Sequence, residues 1–167
     1  MKRLTIALIA LGAMCQSSFA QTQIKTVEIV AYGIYTADLQ SATRDSHGVL
    51  QNLSTNFRRE TATTNVPAQI GVRFGFEYKV VGKPAGKIVS LKKVTVFPPE
   101  GLRSPTVAQP LQHSDITVTP KIGEKTYVGY RFDDPWELVP GPWRIELWDG
   151  DRKVAERIFT VTAPSTR

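Results

Sequence analysis

Between Ile70 and Val80 every second residue is large and apolar: Ile70, Val72, Phe74, Phe76, Tyr78 and Val80, with Gly71, Arg73, Gly75, Glu77 and Lys79 between them. A period of two belongs to a pleated strand with one dry and one wet face; a helix returns to the same face after three or four residues. Six oily side chains in one row need a facing layer, so this segment alone demands a second sheet or a closed one. Glycines on the wet face are unusual, because glycine weakens a strand. Gly71 and Gly75 therefore predict that another backbone or side chain comes close there.

The same alternation recurs along the chain. It predicts strands over about Ile24–Tyr35, Leu50–Thr61, Lys87–Phe97, Asp115–Thr119, Lys125–Asp133, Trp143–Trp148 and Arg152–Thr162. Pro98-Pro99 and Pro120 end two of these, since proline cannot donate to a ladder. Asp149-Gly150-Asp151 is a tight-turn signal joining the last two. Thr36 to Gly48 shows no clear pattern and reads as a mobile loop, 36–48. No stretch sustains a helical period. Seven or eight short strands separated by turns indicate a two-sheet sandwich, with a small β-barrel as the alternative.

The first twenty residues have the order of an export signal: Lys2-Arg3, an apolar run from Leu4 to Cys15, and small side chains at Ser18 and Ala20 before Gln21. The run is shorter than the roughly 20 apolar residues a membrane span needs. The chain thus divides into a cleaved signal, 1–20, and one all-β domain, 21–167, that is periplasmic or secreted. Cys15 is the sole cysteine and leaves with the signal, so a disulfide, a thiolate zinc site and a cysteine nucleophile are not expected in the mature domain. With Lys2 and Arg3 removed, 19 basic residues face 15 acidic ones, a mild net charge of +4. That permits contact with an acidic polymer without requiring it. No further segment is apolar enough to span a membrane, and nothing combines basic and aromatic residues as nucleic-acid binding would.

Two stretches carry a family resemblance. One is Gly71-Val72-Arg73-Phe74-Gly75-Phe76-Glu77-Tyr78, followed by Gly82, Gly86 and Pro98-Pro99; the other is Phe132 through Trp148, centred on Asp134-Pro135-Trp136-Glu137-Leu138-Val139-Pro140-Gly141-Pro142-Trp143. Together with Gly33-Ile34-Tyr35 they resemble domain-of-unknown-function family 3859, a group of small exported bacterial domains, over roughly Val30 to Val161. The resemblance implies an immunoglobulin-like antiparallel β-sandwich and brings no catalytic residue with it.

The chemistry-bearing residues give no catalytic or metal constellation. His47 and His113 stand 66 residues apart in polar stretches, outside any nucleophile motif. Asp133-Asp134 and Asp149/Asp151 could meet and hold calcium, but turn chemistry already accounts for all four. Glu137 lies among Trp136, Leu138 and Trp143, where desolvation would raise its pKa; an ion pair with Arg144 is the simpler expectation. Lys79, Lys83, Lys87, Lys92 and Lys93 read as a solvated face guarding a strand edge. The aromatic group is more telling. Trp143 shares a strand face with Ile145 and Leu147 and should be buried, whereas Trp148 points the other way and Trp136 lies in the crossing segment. No catalytic residue, metal or cofactor is therefore expected. The expected function is that of an uncharacterised binding or structural module touching an envelope protein or polymer. Its candidate surface is Trp136, Glu137, Trp148, Asp149 and Asp151. A hydrolase of envelope polymers, using Glu137 or a histidine, is the competing class, and a structural domain without ligand is the third.

Overall fold

The structure, a computed structural model, describes residues 22–163. The expected signal segment, 1–20, with its expected cleavage point, and the last four residues lie outside the described part. Nine strands are described, arranged in two open sheets. The first sheet has the order β2-β1-β4-β7, from Leu50–Thr61, Gln23–Arg44, Arg73–Lys83 and Lys125–Arg131. The second has the order β3-β9-β8-β5-β6, from Asn65–Pro67, Arg152–Thr162, Gly141–Asp149, Leu91–Val96 and His113–Val118. Neither sheet closes, which excludes the barrel alternative. All pairings are antiparallel except that of the three-residue β3 with β9.

The row that opened the sequence reading holds the sandwich together. Phe74, Phe76, Tyr78 and Val80 of β4 are buried against the second sheet. Phe74 meets Phe132 at 5.3 Å, Phe159 at 5.2 Å and, edge to face, Trp143 at 5.9 Å between ring centroids. Such tilted contacts place the positive edge of one ring over the negative face of the next and add to what area burial contributes. The row is shorter than expected at its start. Ile70 is exposed and Gly71 turns with φ +88, so the strand begins only at Arg73.

The expected glycine contact is present at Gly75. It stands beside Gly33 on one side and Gly129 on the other, forming a row across β1, β4 and β7. The Tyr127 ring lies over this row: a Cβ built on Gly75 would meet the Tyr127 hydroxyl at 2.7 Å and one on Gly129 would meet it at 2.0 Å.

Segment 36–48 is not a loop for most of its length. β1 continues through Thr36 to Arg44, and its second half pairs with β2 from Ile34 onward, whereas its first half pairs with β4. Three register breaks, at Ile34/Tyr35, Thr36/Asp38 and Leu39/Ser41, bend this hairpin arm. The breaks also scramble the alternation, and the small polar residues are strand residues exposed to water. The arm curls so far that Phe57 of β2 stacks on Tyr127 of β7, with 4.3 Å between centroids, although β2 pairs only with β1. Its tip is clamped. Asp45 accepts from the His47 and Val49 amides, Val49 enters the core, and Arg44 pairs with Asp134 at 2.6 Å.

Candidate binding surface

The structure separates the five residues of the expected surface. Trp136 and Glu137 lie in a 3-10 turn, Pro135–Glu137, before β8; Trp148, Asp149 and Asp151 lie at and beyond its far end. Eight strand steps between Gly141 and Asp149 put roughly 26 Å between the two groups.

Glu137 is no surface residue. It is 1 % exposed and saturated with hydrogen bonds. Its Oε2 accepts from the amides of Asp133 at 2.6 Å and Asp134 at 3.0 Å, and its Oε1 accepts from the Tyr130 hydroxyl at 2.8 Å. Burial pushes its pKa up, and these three donors pull it back. The spacing Asp134-Pro135-Trp136-Glu137 carries the signal for this. A capping residue, proline at the first position and an acid three residues on mark a helical turn whose acid reaches back to the cap amide. The expected pairing with Arg144 does not occur; Arg144 pairs with Glu146 at 2.6 Å. Trp136 packs partly buried against the core. Trp143 is fully buried and donates its indole N–H to the Val139 carbonyl at 2.9 Å.

Trp148 does face outward, on the side of the second sheet turned away from the core. It stands beside Lys92, while Val94 pairs with Glu146 and with Asp115, and Val96 pairs with His113. Together these neighbours form a shallow trough of about 400 Å³. Val94 and Val96 contribute apolar surface. Gln112, His113, Asp115 and Asp151 contribute hydrogen-bonding groups. The indole is held in place: its N–H donates to Glu146 at 2.8 Å, and the Lys153 ammonium stands 5.9 Å from the ring centroid. Asp149 is occupied by Arg152 at 3.0 Å across the turn.

The acids do not gather. Asp133 pairs with Arg131 and accepts from Asn52, far from the Asp149 turn, and no three histidine, cysteine or acidic side chains cluster among the described residues. His47 sits in the arm's tip, where its carbonyl accepts from Ser104 at 2.6 Å. The middle lysines are not all solvated. Lys93 is 7 % exposed and faces inward, as the apolar register Leu91, Lys93, Thr95, Phe97 implies. Lys93 was expected on a solvated face and is buried instead, and Val94 and Glu146 were not singled out. Lys93 was visible in that register; the other two become neighbours of Trp148 only through the strand order.

Comparison with known proteins adds to this geometry. The profile of DUF3859, described as a domain of unknown function, matches residues 23–161. No curated protein matches. The crystal structure of an immunoglobulin-like protein from Pseudomonas aeruginosa superposes with a TM-score of 0.59 at 24% identity, covering 87% of this chain and 99% of that one. That likeness concerns the fold.

Proposed function

The chain belongs to the DUF3859 family of domains of unknown function, and from that premise we propose that it is an exported, non-catalytic module that binds a glycan polymer of the cell envelope along the Trp148 trough. The observation carrying the proposal is the combination found there. A braced indole and two valines offer apolar surface, and an amide, an imidazole and two carboxylates stand beside them. Sugar rings have this dual character, with C–H faces that lie on aromatic rings and hydroxyls that need polar partners. Export is part of the reading and rests on the order of features in residues 1–20. Binding is favoured over hydrolysis because Glu137, the acid best suited to catalysis by its surroundings, has its oxygens occupied by three donors within the fold.

Tryptophan emission, titrated with soluble peptidoglycan fragments, tests this. A saturable change that disappears in Trp148→Ala, while circular dichroism stays unchanged, is expected. A flat response at millimolar ligand, or one that survives the substitution, overturns it. Product analysis after long incubation should show glycan chains of unaltered length.

A further inference from the structure

The open side of the sandwich, where β6 and β7 are the outer strands of their sheets, holds a second and deeper recess. The curled arm roofs it, and its volume is about 420 Å³. Leu50 and Phe57 of the arm, Ile116 and Val118 of β6 and Val128 of β7 give it apolar walls. Three cations, Arg73, Lys93 and Arg131, line it, and among the described residues no carboxylate does.

Among the described residues, two of those cations lack an acidic partner. Lys93 reaches from the core face of β5 to donate to the Gly129 carbonyl at 3.1 Å, and it makes no ion pair among the described residues. Arg73 is buried, donates to the Ser54 hydroxyl at 3.1 Å and lies 5.7 Å from the Phe57 ring centroid. Arg131, by contrast, is paired with Asp133. The Tyr127 hydroxyl, also buried, has no hydrogen-bond partner among the described residues. A buried ammonium or guanidinium without a counter-ion is costly, because the water it gave up is not replaced. A buried ammonium with no counter-ion, in a recess lined by no acid, forms the complement of an anion. Burial pushes the Lys93 amine down to about 8, which leaves it mostly protonated at neutral pH.

We propose that this recess is a binding site for a small amphipathic organic anion, its carboxylate or phosphate head held by Lys93 and its apolar body lying between the arm and β6. The site is separate from the Trp148 trough, so either proposal can fail alone.

Calorimetric titration at pH 7 with octanoate and octyl phosphate, both below their micelle concentrations, tests the site, with octanol and octyltrimethylammonium as matched controls. At least one anion should bind about tenfold or more tightly than octanol, as expected for hydrogen bonds to a charged head. Lys93→Met should weaken that binding about tenfold or more, and Lys93→Arg should retain most of it. The preferred anion then distinguishes a carboxylate from a phosphate source. Equal binding of octanol and the anions, undiminished anion binding in Lys93→Met, or no anion binding at all overturns the proposal. Should Lys93→Met fail to fold by circular dichroism, Lys93→Gln carries the same test.

Discussion

Lys93 should leave a mark on stability as well as on binding. Its folded pKa, about 8, lies below the ordinary lysine value of 10.5, so between these two values the unfolded chain holds more protons than the folded one. Lys93 by itself therefore raises stability with pH across that window, by about 2 kcal/mol between pH 8 and 10. Four tyrosines then reverse the trend. Burial, with some help from Glu77, pushes Tyr35 up to about 12, and burial likewise raises Tyr78, Tyr127 and Tyr130. From about pH 9 upward the unfolded chain begins to ionise these phenols while the folded one does not, and stability falls. Urea midpoints measured across this range should pass through a maximum between about pH 9 and 10; a monotonic fall from pH 8 sinks the assignment of Lys93 as a buried amine. Lys93→Met should remove the rising limb and stabilise the protein at pH 7 by about 1–2 kcal/mol, since an apolar side chain of similar length suits the site better. Glu137 is the opposite case. Glu137→Ala takes the acceptor from three donors at once and should cost about 2–4 kcal/mol, read from the same denaturation curves.

At the scale of elements, the glycine row and the arm depend on each other. Tyr127 can lie flat on the first sheet only because Gly75 and Gly129 present no side chain, and Phe57 of the arm stacks on Tyr127 in turn. A Cβ at Gly75 would also meet the Val128 carbonyl at 2.1 Å, which is backbone and cannot swing aside. Gly75→Ala should therefore cost about 1–3 kcal/mol and loosen the arm, seen as faster amide exchange over Leu50–Phe57 than over Phe74–Val80. The close approach was legible in the sequence, because a glycine amid six alternating apolar residues has few other reasons to be there. The arm was legible by half: the strand expected over Leu50–Thr61 is β2, whereas its partner, the Thr36–Arg44 stretch of β1, reads as loop in the sequence. Its register breaks shift the alternation, and its outward residues, such as Leu39 and Leu53 at 54% and 64% exposure, follow no burial rule. The candidate surface split for a related reason. Trp136 and Trp148 are close in the chain, but a fully extended strand carries the chain from one end of the sandwich to the other. Cross-strand neighbours such as Val94 beside Trp148 depend on strand order, which periodicity does not contain.

For the whole molecule, the aromatic contact between sheets decides cooperativity. Phe74 comes from the first sheet, Trp143 and Phe159 come from the second, and Phe132 follows β7. The arm's tip adds Val49 to the same core. Neither sheet can shed its partner without exposing this cluster, so the domain should unfold in one step. Trp143 provides an internal reporter, being fully buried with its indole N–H bonded to Val139. Its emission should move to longer wavelength at the same urea concentration at which the β-sheet circular-dichroism signal is lost. Phe74→Ala should lower that common midpoint by an amount corresponding to about 3–5 kcal/mol, because the cavity opens where several rings converge and cannot all collapse into it. Separate midpoints for fluorescence and circular dichroism would mean that the sheets part before they melt. The interlocking of Phe74 with Trp143 and Phe159 would then not be what holds the sandwich closed.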